Sequence, residues 1–203
     1  MGDVETWNKA EATLKKLLED SGKKFFIEEG DGAFYGPKID ILMKDALNRE
    51  WQMGTMQLDF QLPRNFKLTY TDEKGADVTP VVIHRVVYGS LERFIGILTE
   101  HFAGAFPVWL APVQAIILPI ADRHAEYAEK IKAELVNQDV RVEVDLRSES
   151  VGKKIREAEM QKIPFMLVVG DKEIEADKVA VRRYGEGDKG QMSVHEVIVE
   201  INK

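Results

Sequence analysis

His84-Arg85-Val86-Val87-Tyr88-Gly89-Ser90-Leu91-Glu92-Arg93-Phe94-Ile95-Gly96-Ile97-Leu98-Thr99-Glu100-His101-Phe102 is the stretch from which the rest of the chain can be read. It follows an apolar strand start, Val81-Val82-Ile83, and turns at Gly89. Apolar residues then recur at Leu91, Phe94, Ile95, Leu98 and Phe102, the spacing of an amphipathic helix. Ser90 stands where an N-cap hydroxyl accepts from an otherwise unpaired N–H of the first turn. Arg93 falls in that first turn, where the helix dipole disfavours a cation. Its charge needs compensation from a carboxylate, such as Glu92 or a more distant acid, or from a bound anion such as phosphate. On electrostatics alone the carboxylate is the default.

Working outward towards the N-terminus, residues 5–20 read as a helix with Trp7, Ala10, Leu14, Leu17 and Leu18 on one face, stopped by Gly22. Phe25-Phe26-Ile27 reads as a short strand, and Glu29-Gly30-Asp31-Gly32 as a loop. Ile39–Lys44 and Trp51–Phe60 read as strands joined by a turn at residues 45–48. Phe66–Thr71 and Val78–Val87 flank a hairpin loop at Asp72-Glu73-Lys74-Gly75. Strands joined by short turns predict an antiparallel sheet, with the helix over 91–102 packed on one of its faces.

Proline punctuation at Phe106-Pro107 and Ala111-Pro112 marks a connector, and the pattern changes beyond it. Strands are predicted at 113–119, 140–146, 164–169 and 178–183. Helices are predicted at 123–138, 150–162 and 193–201. Such alternation indicates a wound sheet with helices on its faces. The expected division is therefore an α+β unit over residues 1–108 and an α/β unit over 109–203.

The 203 residues suffice for two ordinary domains, and a hydrophobic fraction of 44% allows each to bury a core. Cysteine is absent, which excludes disulfides and thiolate metal ligation within the chain and fits a reducing compartment; the cytoplasm is the expected location. No apolar run is long enough to span a bilayer, and the acidic start lacks the apolar core of a signal peptide. Gly2 invites a myristoylation reading, but a soluble start explains it better. A formal net charge of −7 counts against nonspecific nucleic-acid binding, although it leaves room for a localised basic face. Gly152-Lys153-Lys154 is no P-loop, since the upstream glycine spacing is missing and neither Ser nor Thr follows the lysine.

The strand–helix run around Arg93 resembles motif 3 of the class II aminoacyl-tRNA synthetases. Ala33-Phe34-Tyr35-Gly36-Pro37-Lys38, Trp51-Gln52-Met53-Gly54-Thr55-Met56-Gln57-Leu58-Asp59-Phe60, Ile83-His84-Arg85 and Trp109-Leu110-Ala111-Pro112-Val113-Gln114 follow one another in the order and spacing of the threonyl-tRNA synthetase family. The resemblance implies that residues up to about 108 are the end of a class II catalytic domain, an antiparallel sheet with helices. The rest would be an α/β anticodon-binding domain with a mixed central sheet. It also implies that motifs 1 and 2 precede residue 1, so that this chain alone is inactive and its sheet shows bare edges.

The resemblance further implies threonine activation by ATP with Mg2+, transfer to tRNA(Thr), and a homodimer in the intact enzyme, with no DNA or membrane partner. Arg93 becomes the catalytic residue, a fork of donors to the ATP γ-phosphate. Tyr35, Gln52, Thr55, Gln57 and Ser90 would line the ATP and threonine pocket. Strict strand alternation sets Gln52 and Gln57 on opposite faces, which a bulge at the intervening glycine would reconcile. Met53 stands where many relatives have cysteine, an exchange that packing tolerates. His84 would be one of three Zn2+ ligands, the metal separating threonine from the nearly isosteric valine through its hydroxyl. The other two ligands lie earlier in the family's sequence. His101, His124 and His195 fall on other predicted elements, so tight zinc binding by this chain alone is not expected. In the second half, Glu173 and Arg182 match anticodon-reading positions, with Ile120 packed beside them. Ser148 and Lys162 stand where some relatives have asparagine and arginine, and lysine cannot reproduce a bidentate fork.

Overall fold

A computed structural model describes residues 3–203, so Gly2 lies outside the described part. The chain divides into two compact units, the first running through Leu98 and the second spanning Thr99–Lys203. Among the described residues, no helix is long and apolar enough to cross a membrane.

In the first unit, helix α1 (Val4–Asp20) is followed by strands β1 (Lys38–Lys44) and β2 (Glu50–Asp59), the short helix α2 (Leu62–Asn65), strands β3 (Tyr70–Thr71), β4 (Asp77–Val78) and β5 (Val82–Val86), and helix α3 (Leu91–His101). Asp3 caps α1, accepting from Glu5 N and Thr6 N at 3.3 and 2.9 Å. The helix buries Ala10 and Leu14, and Trp7 meets Phe60 edge-on.

Strands β1, β2 and β5 form an antiparallel sheet in that order. The β1–β2 turn is organised by the buried Asp45, whose carboxylate accepts from Leu47 N, Arg49 N, Arg49 Nε and Trp51 Nε1. Burial pushes this carboxyl up, but those donors outweigh it and hold it well below the usual aspartate range.

Four expectations need correction here. The strand expected over Phe66–Thr71 is reduced to Tyr70–Thr71, because Phe66 ends the helix α2. Phe25–Ile27 forms no strand; Phe26 and Ile27 are exposed, and three apolar residues between charged pairs find no partner edge. The strand expected over 78–87 is broken at Pro80, which has no N–H to donate to a ladder. Its first part pairs only with β3 in a two-stranded ribbon, while β5 joins β2 instead. Finally, α3 buries none of its residues, so its apolar stripe is not packed as a core-facing helix.

The second unit contains β6 (Ala115–Pro119), helix α4 (Ala125–Val136), β7 (Val142–Val144), α5 (Val151–Met160), β8 (Phe165–Val169), α6 (Asp171–Ala176), β9 (Val179–Arg183), β10 (Gly187–Met192) and α7 (Val194–Ile201). The sheet order is β10-β9-β8-β6-β7, parallel at β6–β7 and β6–β8 and antiparallel elsewhere. This is the mixed sheet expected of this half.

Alternate residues of β6 serve opposite faces. Ala115 and Ile117 join Ala128, Ile131 and Leu135 of α4 and Val197 and Ile201 of α7 in one core. Ile116 and Leu118 join Ala158 of α5, Ile163 and Met166 in another. Each fully buried aliphatic side chain contributes roughly 1.5–3 kcal/mol. Sequence reading missed β10, whose Gly187-Asp188-Lys189-Gly190 run has no apolar alternation, with Gly187 at φ +79° and Gly190 at φ +81°, and which forms an exposed edge strand with a bulge. It also missed α6, which is only six residues long.

Candidate functional site

The sheet of the first unit carries a polar face. Across it, Lys38, Gln57 and His84 stand in one rung, and Asp40, Thr55 and Val86 in the next. The register between β1 and β2 shifts from Ile41↔Gly54 to Leu42↔Gln52, leaving Met53 as an extra residue. Leu42 shares a face with Asp40 and Lys38, so the bulge turns Gln52 onto the face of Thr55 and Gln57 despite their odd separation. Met53 itself is buried.

The polar groups are linked. Tyr35 OH donates to Gln57 Oε1, and Gln57 Nε2 donates to Thr55 Oγ1 at 3.1 Å. The Tyr35 and His84 rings meet edge-on with centroids 5.8 Å apart. Lys38 Nζ binds Asp40 and Asp31 at 2.6 and 2.8 Å, and these bonds, Asp31 first, raise its pKa against the cost of burial. Burial raises the Asp40 carboxyl, but Lys38 and the neighbouring Thr55 pull it lower overall.

Beneath His84 lies Asp59, whose carboxylate is wholly buried. Its Oδ1 accepts from Gln61 N and Leu62 N at 2.8 and 2.9 Å, and its Oδ2 lies 2.8 Å from His84 Nε2. The carboxylate can only accept, so the imidazole donates from Nε2, and in the tautomer this selects the lone pair is on Nδ1.

Gly89 carries the chain from β5 into α3. Its φ is +64°, and a Cβ there would stand 2.7 Å from Met53 O, so only glycine lets the helix start approach β2 so closely. Ser90 Oγ caps the helix by accepting from Arg93 N at 3.2 Å, and it donates to Glu92 at 2.8 Å. Arg93 is exposed; it donates to Gln52 O at 3.1 Å and stacks over Trp51 at 5.6 Å. Among the described residues no carboxylate forms an ion pair with it, contrary to the electrostatic default.

Tyr35, Gln52, Thr55, Gln57, Ser90, Arg93 and His84 thus gather around one sheet face and its adjoining helix start. Lys38, Asp40 and Asp59 belong to the same face and were missed as site residues. Only the cross-strand register reveals them, although the strand parity of Asp59 with Gln57 hinted at it. A catalytic zinc takes three protein donors. No group of three His, Cys, Asp or Glu converges among the described residues. His84, held through Nε2 by Asp59, leaves Nδ1 as a single donor, so the residues of this chain do not by themselves fit a zinc ion.

In the second unit, Ile120 and Ser148 line a cavity of about 510 Å3 at the C-terminal ends of β6 and β7. Glu173 lies close by, since it and Ile120 both abut Gly170. Its carboxylate accepts from Gly170 N at 3.0 Å and Gln191 Nε2 at 2.8 Å. Arg182 and Lys162 are elsewhere. Arg182 pairs with Met166 near the start of β8, with its Nε buried and unpartnered. Lys162 donates to Ala103 O and lines a second hollow of about 560 Å3 with Trp109 and Arg183.

A family model described as the tRNA synthetase class II core domain (G, H, P, S and T) matches residues 3–102, and an anticodon binding domain model matches 114–203. The threonine–tRNA ligase of Carboxydothermus hydrogenoformans is 59% identical over 99% of this chain and 32% of its own length. That of Symbiobacterium thermophilum is 60% identical over 95% of this chain and 30% of its own. The crystal structure of the RNA binding domain of threonyl-tRNA synthetase from Cryptosporidium parvum Iowa II superposes with a TM-score of 0.91 and 40% identity, covering all of this chain and 51% of that one. The chain therefore spans about a third of the length of the curated relatives it matches. With a class II core followed by an anticodon-binding domain, and this identity along nearly its whole length, the chain belongs to the threonine–tRNA ligase family of class II aminoacyl-tRNA synthetases.

Proposed function

We propose that this chain supplies the part of a threonine–tRNA ligase that faces ATP and threonine in the catalytic core, together with the domain that reads the anticodon of tRNA(Thr). The observation that carries this reading is the β2 bulge, which sets Gln52, Thr55 and Gln57 on one face with Tyr35 and His84. Arg93, exposed and without a carboxylate partner among the described residues, is the catalytic donor to the γ-phosphate of ATP, which arrives with Mg2+. Ser90 orients that helix start. His84 contributes one zinc ligand in the whole enzyme, with the remaining donors coming from outside these residues. Residues 1–108 make the catalytic portion and 109–203 the anticodon portion. Ile120, Ser148, Lys162, Glu173 and Arg182 contact the anticodon loop. The intact enzyme works in the cytoplasm as a homodimer.

Threonylation of tRNA(Thr) tests the reading. The chain alone is expected to be inactive, and to gain activity when the other two class II motifs are supplied in trans from a relative; no gain would count against the catalytic assignment. A second reading, a free-standing anticodon-binding module, is favoured by the second unit's two hydrophobic clusters and its own cavity. Filter binding of anticodon stem-loops at stated salt separates the two.

A further inference from the structure

Arg93 is held in place without being neutralised. Among the described residues no carboxylate pairs with it, and its guanidinium donates from one Nη to Gln52 O at 3.1 Å. That carbonyl lies past the last β2–β5 pair, Thr55↔Val86, at the rim of the sheet. The second hold is the ring of Trp51, whose centroid is 5.6 Å from the guanidinium carbon. An aromatic face attracts a guanidinium through its quadrupole and orients its plane, yet occupies none of its five N–H donors. A carboxylate in that place would cancel the charge and take two donors of the fork.

Trp51 is itself pinned. Its Nε1 donates to Asp45 Oδ2 at 2.8 Å, and that buried carboxylate is fixed in turn by Leu47 N and Arg49 N at 2.8 and 2.9 Å. The ring cannot turn without leaving a buried charge short of a donor. Arg49 lies 5.7 Å from the same ring centroid, but its Nε is paired with Asp45 at 2.5 Å. The carboxylate thus balances Arg49 and leaves the charge of Arg93 standing. Trp51 pairs across the strands with Met43, whereas Gln52 pairs with Leu42, so the ring faces away from the side that carries Gln52, Thr55 and Gln57. It can act on a ligand there only through Arg93.

We infer that Trp51 is the positioning residue of Arg93: pinned by Asp45, its ring holds the guanidinium at the rim of the polar face with its fork open to the terminal phosphates of ATP. The inference rests on the phosphate-binding reading of Arg93 and adds to it the device that aims the side chain.

The test uses the full 203-residue chain and has two arms. In proton–nitrogen correlation spectra of the arginine side chains, the Arg93 Nε–H resonance is assigned by its loss in Arg93→Ala. The ring current of Trp51 should place it upfield in the wild type, and Trp51→Leu should move it downfield. An unmoved resonance overturns the inference. Equilibrium dialysis then gives Kd for ATP and for AMP. The wild type should prefer ATP, Arg93→Ala should abolish the preference, and Trp51→Leu should reduce it about fivefold by weakening ATP alone. Equal weakening of both nucleotides, as from a ring that only supports the fold, overturns the inference, and so does an unchanged preference. Should Trp51→Leu fail to fold by circular dichroism, tryptophan at position 51 bearing successive fluorines decides, since fluorine keeps the shape and depletes the negative face. A preference for ATP that falls with each fluorine supports the hold, and a flat series overturns it. A wild type without preference, or a preference that survives Arg93→Ala, defeats the phosphate role of Arg93 itself, and this inference with it.

Discussion

Asp59 connects fold and site through a single carboxylate. One oxygen ties down the N–H groups entering α2, and the other holds the His84 ring that looks into the polar face. Asp59→Ala leaves two backbone donors and an imidazole N–H unpaired in a buried place, so the first unit should lose about 3 kcal/mol in urea titrations. His84→Ala, which removes the more exposed partner, should cost less. A second carboxylate makes a pH prediction. Arg123, by two bonds, and then His124 hold Asp171 well below the usual aspartate range. A folded pKa below the unfolded one means that this contribution is fully present above the ordinary value of 3.8 and is lost as pH falls through the folded value. The stability difference between wild type and Asp171→Asn should be full near neutrality and shrink in acid below pH 3.8. Thermal melts across that range read it, and a difference that grows in acid would contradict the assignment.

At the scale of elements, β2 decides the site. Its bulge places Gln52 with Thr55 and Gln57, and its carbonyls receive two close approaches. A Cβ at Gly89 would stand 2.7 Å from Met53 O, and one at Gly36 only 1.9 Å from Leu58 O. Neither acceptor is the movable end of a side chain, so the backbone must shift. Gly36→Ala is therefore expected to destabilise the first unit by more than about 3 kcal/mol, or to prevent its folding, whereas Gly96→Ala on α3, which meets nothing within 4 Å, should be neutral or slightly stabilising. Circular dichroism of the two variants checks the contrast. Most of the elements were legible from periodicity, among them α1, β1, β2, α4 and α7. The broken strand at Pro80 and the polar strand β10 were not, because one needed its partner strand and the other lacks any apolar pattern.

For the whole molecule, the distribution of core is uneven. Both hydrophobic clusters lie in the second unit, whereas the first, among the described residues, buries Ala10, Leu14, Met53 and Phe60 with the prolines Pro37 and Pro63. Hydrogen exchange should therefore protect β6 and β8 amides over those of β1 and β5 by at least about a hundredfold. Comparable protection in both sheets would refute this ranking. The apolar face of the first sheet presents Ile41 and Ile83 at 58% and 60% exposure. Exposed apolar patches on sheets with free edges promote association. The chain should self-associate at high concentration, and Ile83→Lys should reduce the light scattering without altering the melting of the second unit.

The fold class could be read in the chain itself, because it rests on local spacing: strand runs, turn glycines, an N-cap serine and helical stripes. The family came from the resemblance of whole motifs spread between residues 33 and 114, which spacing and periodicity alone do not supply. Three things waited for tertiary structure. Cross-strand register brought Lys38 and Asp40 beside Gln57 and His84, and buried Asp59 behind the imidazole. The bulge gave Gln52 its facing. In the second unit, packing set Ile120 and Ser148 in one hollow and Lys162 in another, and buried Lys154 against the carbonyls of Pro119 and Asp145. Spacing along a chain records what each element is, but which side chains meet depends on strand pairing and packing between residues far apart in sequence, and these are settled only when the elements come together.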